Sequence, residues 1–333
     1  MNKYVFHEPK VQSRYKTYCV LCNFVILADT AAYTKQFAFV VCRVVFGTHY
    51  CIVKSNMSMK AVLQSANGDP EVLYLGDTQQ PSLADHEVFI KVDAVSVNRA
   101  DTLQRKGLYP PPPGVTSVLG LECAGQVTRV GKHVTNVSVG DKVMALLPGG
   151  GYAEYVSVHH GSVMHVPEDL SLEEAAAIPE VWLTAYQLLH TTAGIKPGNT
   201  VLIHAGGSGV GTAAVQLVKL AGASSFVTAG SQSKLQQFIS IICSWLGTEN
   251  KIKNAIDLGA GGGCNYKTGN WKDEVMKWTD GKGVDIILDC IGGSYFDDNM
   301  SCIAVDGVWV VYGLMGGAQV SGPALAGDNI SNA

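Results

Sequence analysis

The chain has 333 residues, of which 47% are hydrophobic and only 16% charged, and it contains 37 glycines. This composition is typical of a globular α/β protein of about two domains and excludes a disordered chain. The net charge of −4 offers no basic surface for nucleic acid, and no run of about 18 apolar residues predicts a membrane span. The nine cysteines are dispersed and odd in number, which predicts a reduced, cytoplasmic protein.

Residues 1–58 form an atypical N-terminal extension that holds four of the nine cysteines. Cys19 and Cys22 have the spacing of half a zinc site, but no second pair with that spacing follows, so we expect no zinc module. Basic residues precede the apolar run Cys19–Ala28, which leaves a weak mitochondrial or secretory targeting sequence as the alternative. We favour an extension without function, because the sequence from Met59 onwards has the character of a natural beginning.

The next segment, residues 59–179, predicts a compact and mostly β module. Met59–Leu63 and the β-rich run Glu87–Val97 predict strands, and further short strands follow between glycine turns. The four prolines after Tyr109 fix the backbone and predict a rigid loop. Short strands with these turn signals favour a barrel-like fold.

A nucleotide-binding turn is predicted at the start of the second half. The apolar run Thr200–His204 predicts a buried strand, four glycines follow at once, and Ala213–Leu220 has the apolar face of a helix. A strand, a glycine turn and a helix N-terminus suit a pyrophosphate, because glycines admit it closely and the helix offers free N–H groups. The alternative is a glycine-rich surface turn.

The end of the second strand, Ser224–Gly230, distinguishes NADPH from NADH. NAD enzymes place an acidic residue there to bind the ribose 2′-hydroxyl, whereas this chain has Ser231 and Lys234. These two side chains would bind a 2′-phosphate that a carboxylate would repel, so we predict NADPH. The alternative is that Lys234 is only a surface residue at a helix start.

An insertion at residues 237–253 follows this strand. It contains Gly247-Thr-Glu-Asn-Lys251, a pattern of the same kind as the one that ends at Lys234, so Lys251 is a second candidate for the phosphate. We interpret the insertion as a splicing or gene-model artefact, with a genuine lobe that extends the helix as the alternative.

Two later apolar runs, Val284–Gly293 and Gly307–Gly317, predict buried strands that end in glycine turns. Ligands of open α/β sheets bind at the carboxyl ends of the strands. Unless these are ordinary glycine turns, four residues belong near the nicotinamide: Ile291, Gly292, Tyr312 and Gly313.

Several motifs resemble the medium-chain dehydrogenase/reductase superfamily, among them Gly140-Asp-Lys-Val, Gly149-Gly-Gly-Tyr-Ala-Glu-Tyr155 and Trp182-Leu-Thr-Ala-Tyr186. Within it, the segment from Asn98 to Tyr109 and the prolines after it resemble the zinc-free NADPH:quinone oxidoreductases, especially their stress-inducible subgroup. The resemblance runs from Met59 to about Pro323. It implies an α/β protein with a GroES-like, mostly β catalytic domain at residues 59–179. A Rossmann domain with a doubly wound parallel sheet follows at residues 180–323.

The resemblance also implies the residues of the site. Zinc-dependent relatives have a cysteine where this chain has Asn98 and a histidine where it has Leu121, and these two residues cannot bind zinc. The implied catalytic residues are Tyr109, Asn98 and Ser208. Tyr109 would donate a hydrogen bond to a quinone oxygen, unless it only packs over the prolines, and Asn98 is otherwise a turn residue at a strand end. The predicted cofactor-binding residues are Thr184, Gly206, Gly207, Ser208, Gly209, Val210, Gly211, Gly230, Ser231, Lys234, Tyr266, Ile291, Gly292, Tyr312 and Gly313.

We therefore predict a zinc-independent enzyme that transfers hydride or electrons from NADPH to a quinone. One alternative is an enoyl or alkenal C=C reductase of the same superfamily. Another is a truncated isoform that only binds nucleotide, because the family continues with a sixth strand and a returning segment where this chain has a divergent tail, residues 324–333. The sixth strand is commonly the dimer edge, so we expect the family homodimer to be lost here. The expected partner is a small quinone or enone, with neither nucleic acid nor membrane.

Overall fold

The computed structural model describes residues 57–230 and 254–319, together with the backbone of four short strands nearer the N-terminus. Met1–Met59 and Thr78–Gln80 form one compact unit, and the remaining residues form a second. Cys19, Cys22, the insertion and the divergent tail lie outside the described residues. The four N-terminal strands pair in two antiparallel ribbons, namely β1 (Thr17–Tyr18) with β2 (Val25–Ile26) and β3 (Phe39–Val44) with β4 (Gly47–Ile52).

Seven strands between residues 58 and 165 make up a β-rich module. They are β5 (Ser58–Gln64), β6 (Leu73–Gln79), β7 (Glu87–Ala94), β8 (Glu122–Val130), β9 (Lys142–Leu146), β10 (Tyr155–His159) and β11 (Val163–His165). The last five form an antiparallel sheet in the order β10-β7-β8-β9-β11, and β5 pairs with β6. Apolar side chains such as Ile90, Val127 and Val156 alternate along these strands, and they meet in one core.

Three helices belong to this module or connect it to the next. They are α1 (Arg99–Arg105), α2 (Leu172–Ala175) and α3 (Pro179–Tyr186). Ser171 caps α2, because its hydroxyl oxygen accepts from the Glu174 N–H group. The Glu174 carboxylate in turn accepts from the Ser171 N–H group, and this reciprocal capping box starts many helices. α3 begins at a proline, which fits the first turn because no intrahelical partner exists there for an N–H group.

Five parallel strands form the second sheet, in the spatial order β14-β13-β12-β15-β16. They are β12 (Thr200–Ile203), β13 (Ser224–Ala229), β14 (Gly262–Asn265), β15 (Val284–Asp289) and β16 (Ile303–Val311). The connecting helices are α4 (Gly209–Leu220), α5 (residues 254–258), α6 (Trp271–Trp278) and α7 (Phe296–Cys302). The first strand lies in the middle and the later ones are added on both sides, so the predicted doubly wound α/β fold is confirmed.

β16 is an edge strand of the described sheet. Val305 is 93% exposed, and Val308 and Val311 are exposed as well. Such an apolar edge is a surface that other strands can pair with. Within the described ranges, none of the helices combines the length and apolar content that a bilayer span requires.

The sequence of Trp182–His190 predicts a helix, but the face that it predicts to be buried is wrong. The spacing of Leu183, Tyr186 and Leu189 predicts a buried helical face, but Leu183 and Tyr186 are exposed and only Leu189 is fully buried. The buried face instead includes Ala185, because α3 packs against α4 and a small residue permits a close approach. After Tyr186 the helix widens into a π-helical turn, Gln187–Thr192, and Leu189, four residues after Ala185, packs in the same buried cluster.

Candidate cofactor and substrate site

The glycine turn joins β12 directly to the N-terminus of α4. Ala205 has a positive φ of 54°, and the N–H group of Gly206 donates to the Thr228 carbonyl at 2.9 Å, which ties the turn to β13. Ser208 is the N-cap of α4, and its hydroxyl oxygen accepts from the Gly211 N–H group at 3.1 Å. The predicted phosphate residues thus lie in one turn, namely Gly206, Gly207, Ser208, Gly209, Val210 and Gly211.

The predicted 2′-phosphate region begins where β13 ends. Gly230 lies directly against the ring of Tyr266, so that a Cβ atom at Gly230 would overlap the phenol. The Tyr266 N–H group donates to the Ala229 carbonyl at 3.1 Å, and this bond holds Tyr266 beside the end of β13. The structure therefore brings Gly230 and Tyr266 together. The other proposed clamps, Ser231, Lys234 and Lys251, lie outside the described residues.

The loops after β15 and β16 run side by side. The Gly316 N–H group donates to the Ile291 carbonyl at 2.7 Å, and the Tyr312 N–H group donates to the Asp289 carbonyl at 2.8 Å. A Cβ atom at Gly313 would come within 3.0 Å of the Cys290 carbonyl, so close packing selects glycine there. The four residues that we assigned to the nicotinamide end are thus neighbours in space: Ile291, Gly292, Tyr312 and Gly313. Their contact with a cofactor stays a prediction.

A buried chain of hydrogen bonds lies beneath these loops. Asp289 accepts from Asn299 Nδ2 and Trp309 Nε1, both at 3.1 Å. The Asn299 Oδ1 atom lies 2.7 Å from His204 Nε2, and His204 Nδ1 lies 2.9 Å from Thr228 Oγ1. Since Asn299 donates to Asp289, its oxygen faces His204, which fixes the tautomer with the proton on Nε2. Burial lowers the pKa of His204, so the ring is neutral and accepts from Thr228.

Asp289 also holds the loop that follows β15. Its Oδ1 atom accepts from the N–H groups of Ile291 at 2.7 Å and Gly292 at 3.1 Å. Because His204 directly precedes the glycine turn, one buried network fixes the carboxyl ends of both β12 and β15. Sequence reasoning did not identify this network.

On the β-rich side, two buried carboxylates hold Asn98. Asn98 donates from its backbone N–H to Asp101 Oδ2 at 2.8 Å and from its side-chain Nδ2 to Glu122 Oε1 at 2.7 Å. Asp101 also accepts from the Tyr152 hydroxyl at 2.9 Å and from the Gly120 N–H group at 3.1 Å. Asn98 is at the same time the N-cap of α1. Its side chain is therefore held in one orientation, which suits a residue that faces a substrate.

Glu122 links the β-rich module to the nucleotide-binding part. Besides Asn98, it accepts from the Ser96 hydroxyl, and its Oε2 atom accepts from the Glu180 N–H group at 2.8 Å. Glu180 is in the first turn of α3. One buried carboxylate thus connects a predicted catalytic residue to a helix that packs on α4. Sequence reasoning did not identify this role of Glu122.

Tyr109 and Thr184 occupy less constrained positions. Tyr109 follows α1 at the end opposite Asn98 and is 49% exposed, so it is not a buried packing residue. Thr184 lies one helical turn after Val181, whose side chain would be 2.7 Å from a Cβ atom at Gly209. Thr184 is therefore placed near the start of α4. Roles for both residues stay predictions.

The residues at the zinc position of the zinc-dependent relatives do not fit a zinc ion. Asn98 donates to Glu122, and Leu121 has no ligand atom. The neighbouring thiol of Cys123 is fully buried, and burial together with the Glu122 charge raises its pKa to about 12. Cys123 is part of the apolar core of the β-rich module.

Three acidic residues lie close together around Asn98. Burial raises the pKa of Asp101, and burial followed by repulsion from Glu122 and Asp101 raises the pKa of Glu180. A carboxyl whose pKa is higher in the folded state contributes stability below its unfolded pKa, and this contribution is lost as the pH rises through the folded value. The charged form of Glu180 therefore destabilises the fold at neutral pH.

We expect Glu180→Gln to raise the free energy of unfolding at pH 7 by about 0.5 kcal/mol, a small gain because solvent screens a half-buried carboxylate. The gain should vanish near pH 4, where the wild-type side chain is also neutral. Urea unfolding at both pH values measures it, with the exposed Glu173→Gln as the matched control. An equal gain at both pH values would contradict the electrostatic origin.

Comparison with known proteins now defines the class. The family model described as alcohol dehydrogenase GroES-like domain matches residues 84–168 of this chain. The family model described as zinc-binding dehydrogenase matches residues 209–331. This pairing of a β-rich module with a nucleotide-binding sheet is that of the medium-chain dehydrogenases/reductases.

Individual relatives narrow the class. The quinone oxidoreductase of Pseudomonas aeruginosa is 34% identical over 272 residues, which cover 81% of this chain and 76% of that protein. The structure of Escherichia coli quinone oxidoreductase complexed with NADPH is 30% identical, with a TM-score of 0.66 over 81% of this chain and 76% of that one. The protein therefore belongs to the quinone oxidoreductase family of the medium-chain dehydrogenases/reductases and is an oxidoreductase.

Other similar proteins include enoyl reductases. The structure of the CurK enoyl reductase is 33% identical, with a TM-score of 0.66 over 78% of this chain and 75% of that one. A low-reducing polyketide synthase of Aspergillus calidoustus is 35% identical, but the match covers 75% of this chain and only 10% of the synthase. The chain thus spans about a tenth of that protein.

Proposed function

We propose that the protein reduces a quinone with NADPH as the electron donor. The observation that supports this most is the turn between β12 and α4, capped by Ser208. Beside it, Gly230 follows the adjacent strand β13 and lies against Tyr266, which follows β14. A pyrophosphate and an adenosine ribose need these two places side by side. A relative of known structure contains NADPH, which supports the same cofactor here.

The residues present fit this cofactor. The glycine turn and the first turn of α4 would bind the pyrophosphate, and Tyr266, Ser231 and Lys234 would surround the 2′-phosphate. When bound, NADPH supplies the hydride or electrons of the reaction. The loops that Asp289 holds would position the nicotinamide end and limit the access of water.

The substrate would lie near Asn98. Its side chain is fixed by Glu122 at 2.7 Å, so it is oriented before a substrate arrives, which avoids an ordering cost during the reaction. The Tyr109 hydroxyl would donate a hydrogen bond to the quinone oxygen as that oxygen gains negative charge. An enone would use the same two groups, and the similarity to CurK enoyl reductase makes C=C reduction the second candidate.

We expect NADPH oxidation to be faster with a small quinone than with an enone of similar size, and NADPH to be preferred over NADH. At a hundredfold excess over Kd, NADPH should stabilise the protein by about 3 kcal/mol, which a thermal-shift titration measures. Faster turnover of the enone would favour the second candidate. Stabilisation by NADPH without turnover of either substrate would favour the alternative that this protein only binds nucleotide. A larger increase in melting temperature with NADH than with NADPH would contradict the roles of Ser231 and Lys234.

We place the reaction in the cytoplasm. Within the described ranges the four cysteines are all buried and free of disulfides: Cys123, Cys264, Cys290 and Cys302. Free thiols are typical of a reducing compartment. Detection of the full chain in fractionated cells tests this placement against the alternative of an organelle.

A further inference from the structure

Four histidines meet at one edge of the antiparallel sheet, away from the proposed site. His86 directly precedes β7, His159 ends β10, His160 follows it, and His133 comes just after β8. The pairing of β7 with β10 sets His159 opposite Glu87, and the His160 N–H group donates to the His86 carbonyl at 3.0 Å. Backbone pairing therefore fixes the positions of these residues.

The imidazole rings face one another. The ring centroids of His159 and His160 are 4.6 Å apart, and that of His86 is 6.2 Å from each of them. One ligand nitrogen from each of the three rings lies within 4.8 Å of the others. His86 and His159 are exposed and His160 is partly buried, so a solute can reach all three.

Two neighbours orient these rings in the way that outer residues orient metal ligands. Asn136 Oδ1 lies 2.9 Å from His160 Nδ1, and Asn136 Nδ2 donates to the His160 carbonyl at 3.1 Å. The amide orientation makes His160 Nδ1 the donor, which leaves its Nε2 lone pair free. His133 Nδ1 lies 3.0 Å from His86 Nε2. If His86 carries its proton on Nε2 and donates it to His133, the lone pair on His86 Nδ1 is free to bind a metal ion. A ligating histidine generally donates its other nitrogen to such a partner.

We propose that His86, His159 and His160 bind a zinc ion, with Asn136 and His133 as the residues that orient them. Neutral imidazole is a common ligand of zinc and of similar divalent transition metals. Nitrogens 2.0–2.1 Å from a tetrahedral zinc are about 3.3 Å apart, so the exposed rings must close by about 1.5 Å. The fourth position would hold water, and the ion would join the start of β7 to the end of β10.

His159 is the weakest of the three ligands. Its Nδ1 atom accepts from the Gly161 N–H group at 3.1 Å, so zinc must either replace this bond or turn the ring. The replaced N–H group is at the surface and can bond to water. We therefore expect the loss of His159 to lower Zn²⁺ affinity less than the loss of His86 or His160. A chance cluster of histidines would not show this order.

The test uses the full chain, stripped of metal with a chelator. We expect it to bind one Zn²⁺ in equilibrium dialysis, and to show a Co²⁺ spectrum of imidazole ligation without the thiolate charge-transfer band that cysteines would produce. His86→Ala and His160→Ala should each lower Zn²⁺ affinity by more than about 100-fold, because losing a ligand costs more than losing an outer residue. His159→Ala should lower it less, and Asn136→Ala by about 10-fold.

His165→Ala is the matched control. His165 is exposed on the same surface, and its Nε2 donates to the Asn136 carbonyl at 3.1 Å, yet it is not one of the three ligands. Its loss should leave Zn²⁺ affinity unchanged. Zn²⁺ should also raise the melting temperature of the wild type but not of His86→Ala. The proposal is wrong if the stripped chain does not bind Zn²⁺, if the His86/His160 double variant retains wild-type affinity, or if a thiolate band dominates the Co²⁺ spectrum.

Discussion

Asp289→Asn should destabilise the protein by about 4 kcal/mol, because it disrupts the hydrogen bonds of a fully buried carboxylate. Asp289 is 0% exposed and accepts from two loop N–H groups and two side chains at distances of 2.7–3.1 Å. Asparagine has one oxygen, so its NH₂ group must face two of these four donors. Each unsatisfied buried group costs about 1–3 kcal/mol. This loss is a large part of the roughly 5–15 kcal/mol that holds a typical domain folded.

Urea unfolding monitored by tryptophan fluorescence measures this loss, since Trp309 donates to Asp289. NADPH affinity should fall as well, because the same carboxylate fixes Ile291 and Gly292. Asp273→Asn is the control. Asp273 accepts a bond from Asn270 at 2.7 Å, but it is exposed, so water replaces what the variant loses. Equal stabilities of the two variants would show that the buried network does not have the role assigned to it.

The sequence predicts the central strands β12 and β15 well and the edge strand β14 poorly. β12 and β15 are buried on both faces, so their runs of valine, isoleucine and leucine are visible without a structure. β14 has the sequence Gly262-Gly-Cys-Asn265 and lacks the β-branched residues by which strands are recognised. β14 is a strand because it pairs in parallel with β13, and its own residues do not favour a strand.

The same contrast holds for the site. The glycine turn is local, and the single stretch Thr200–Leu220 suffices to predict it. The network around Asp289 joins residues 10, 20 and 85 positions apart, and no periodic pattern connects them. The only signal was that His204 and Asp289 each end a buried strand just before a glycine turn. Parallel strands bring such ends together, so a polar pair there indicates a shared network.

The prediction of Asn98 did not include the residues that orient its side chain. The family resemblance indicates Asn98, and the structure shows that Asp101 and Glu122 determine its orientation. The spacing from Asn98 to Asp101 is that of a helix cap with its return bond, so half of this arrangement was visible in the sequence. Glu122 was not, because it comes from β8, 24 residues away.

Gly211→Ala should lower NADPH affinity by about 100-fold, because it displaces the turn that would bind the pyrophosphate. A Cβ atom at Gly211 would lie 2.5 Å from the Ala205 carbonyl oxygen and 2.7 Å from the Gly206 Cα atom. Both are backbone atoms, so no side chain can move aside. The start of α4 must separate from the turn, and a displacement of about 1 Å in a binding geometry can cost about 100-fold.

Thr212→Ala is the matched control for this variant. Thr212 is the next residue of α4, and its hydroxyl bonds only to the Gly209 carbonyl at 3.0 Å, so alanine there changes the helix start without adding volume between helix and turn. Titration of NADPH by fluorescence should separate the two variants, with Thr212→Ala close to the wild type. If Gly211→Ala bound NADPH as tightly as Thr212→Ala, the close approach of α4 to the glycine turn would not be what creates the phosphate site.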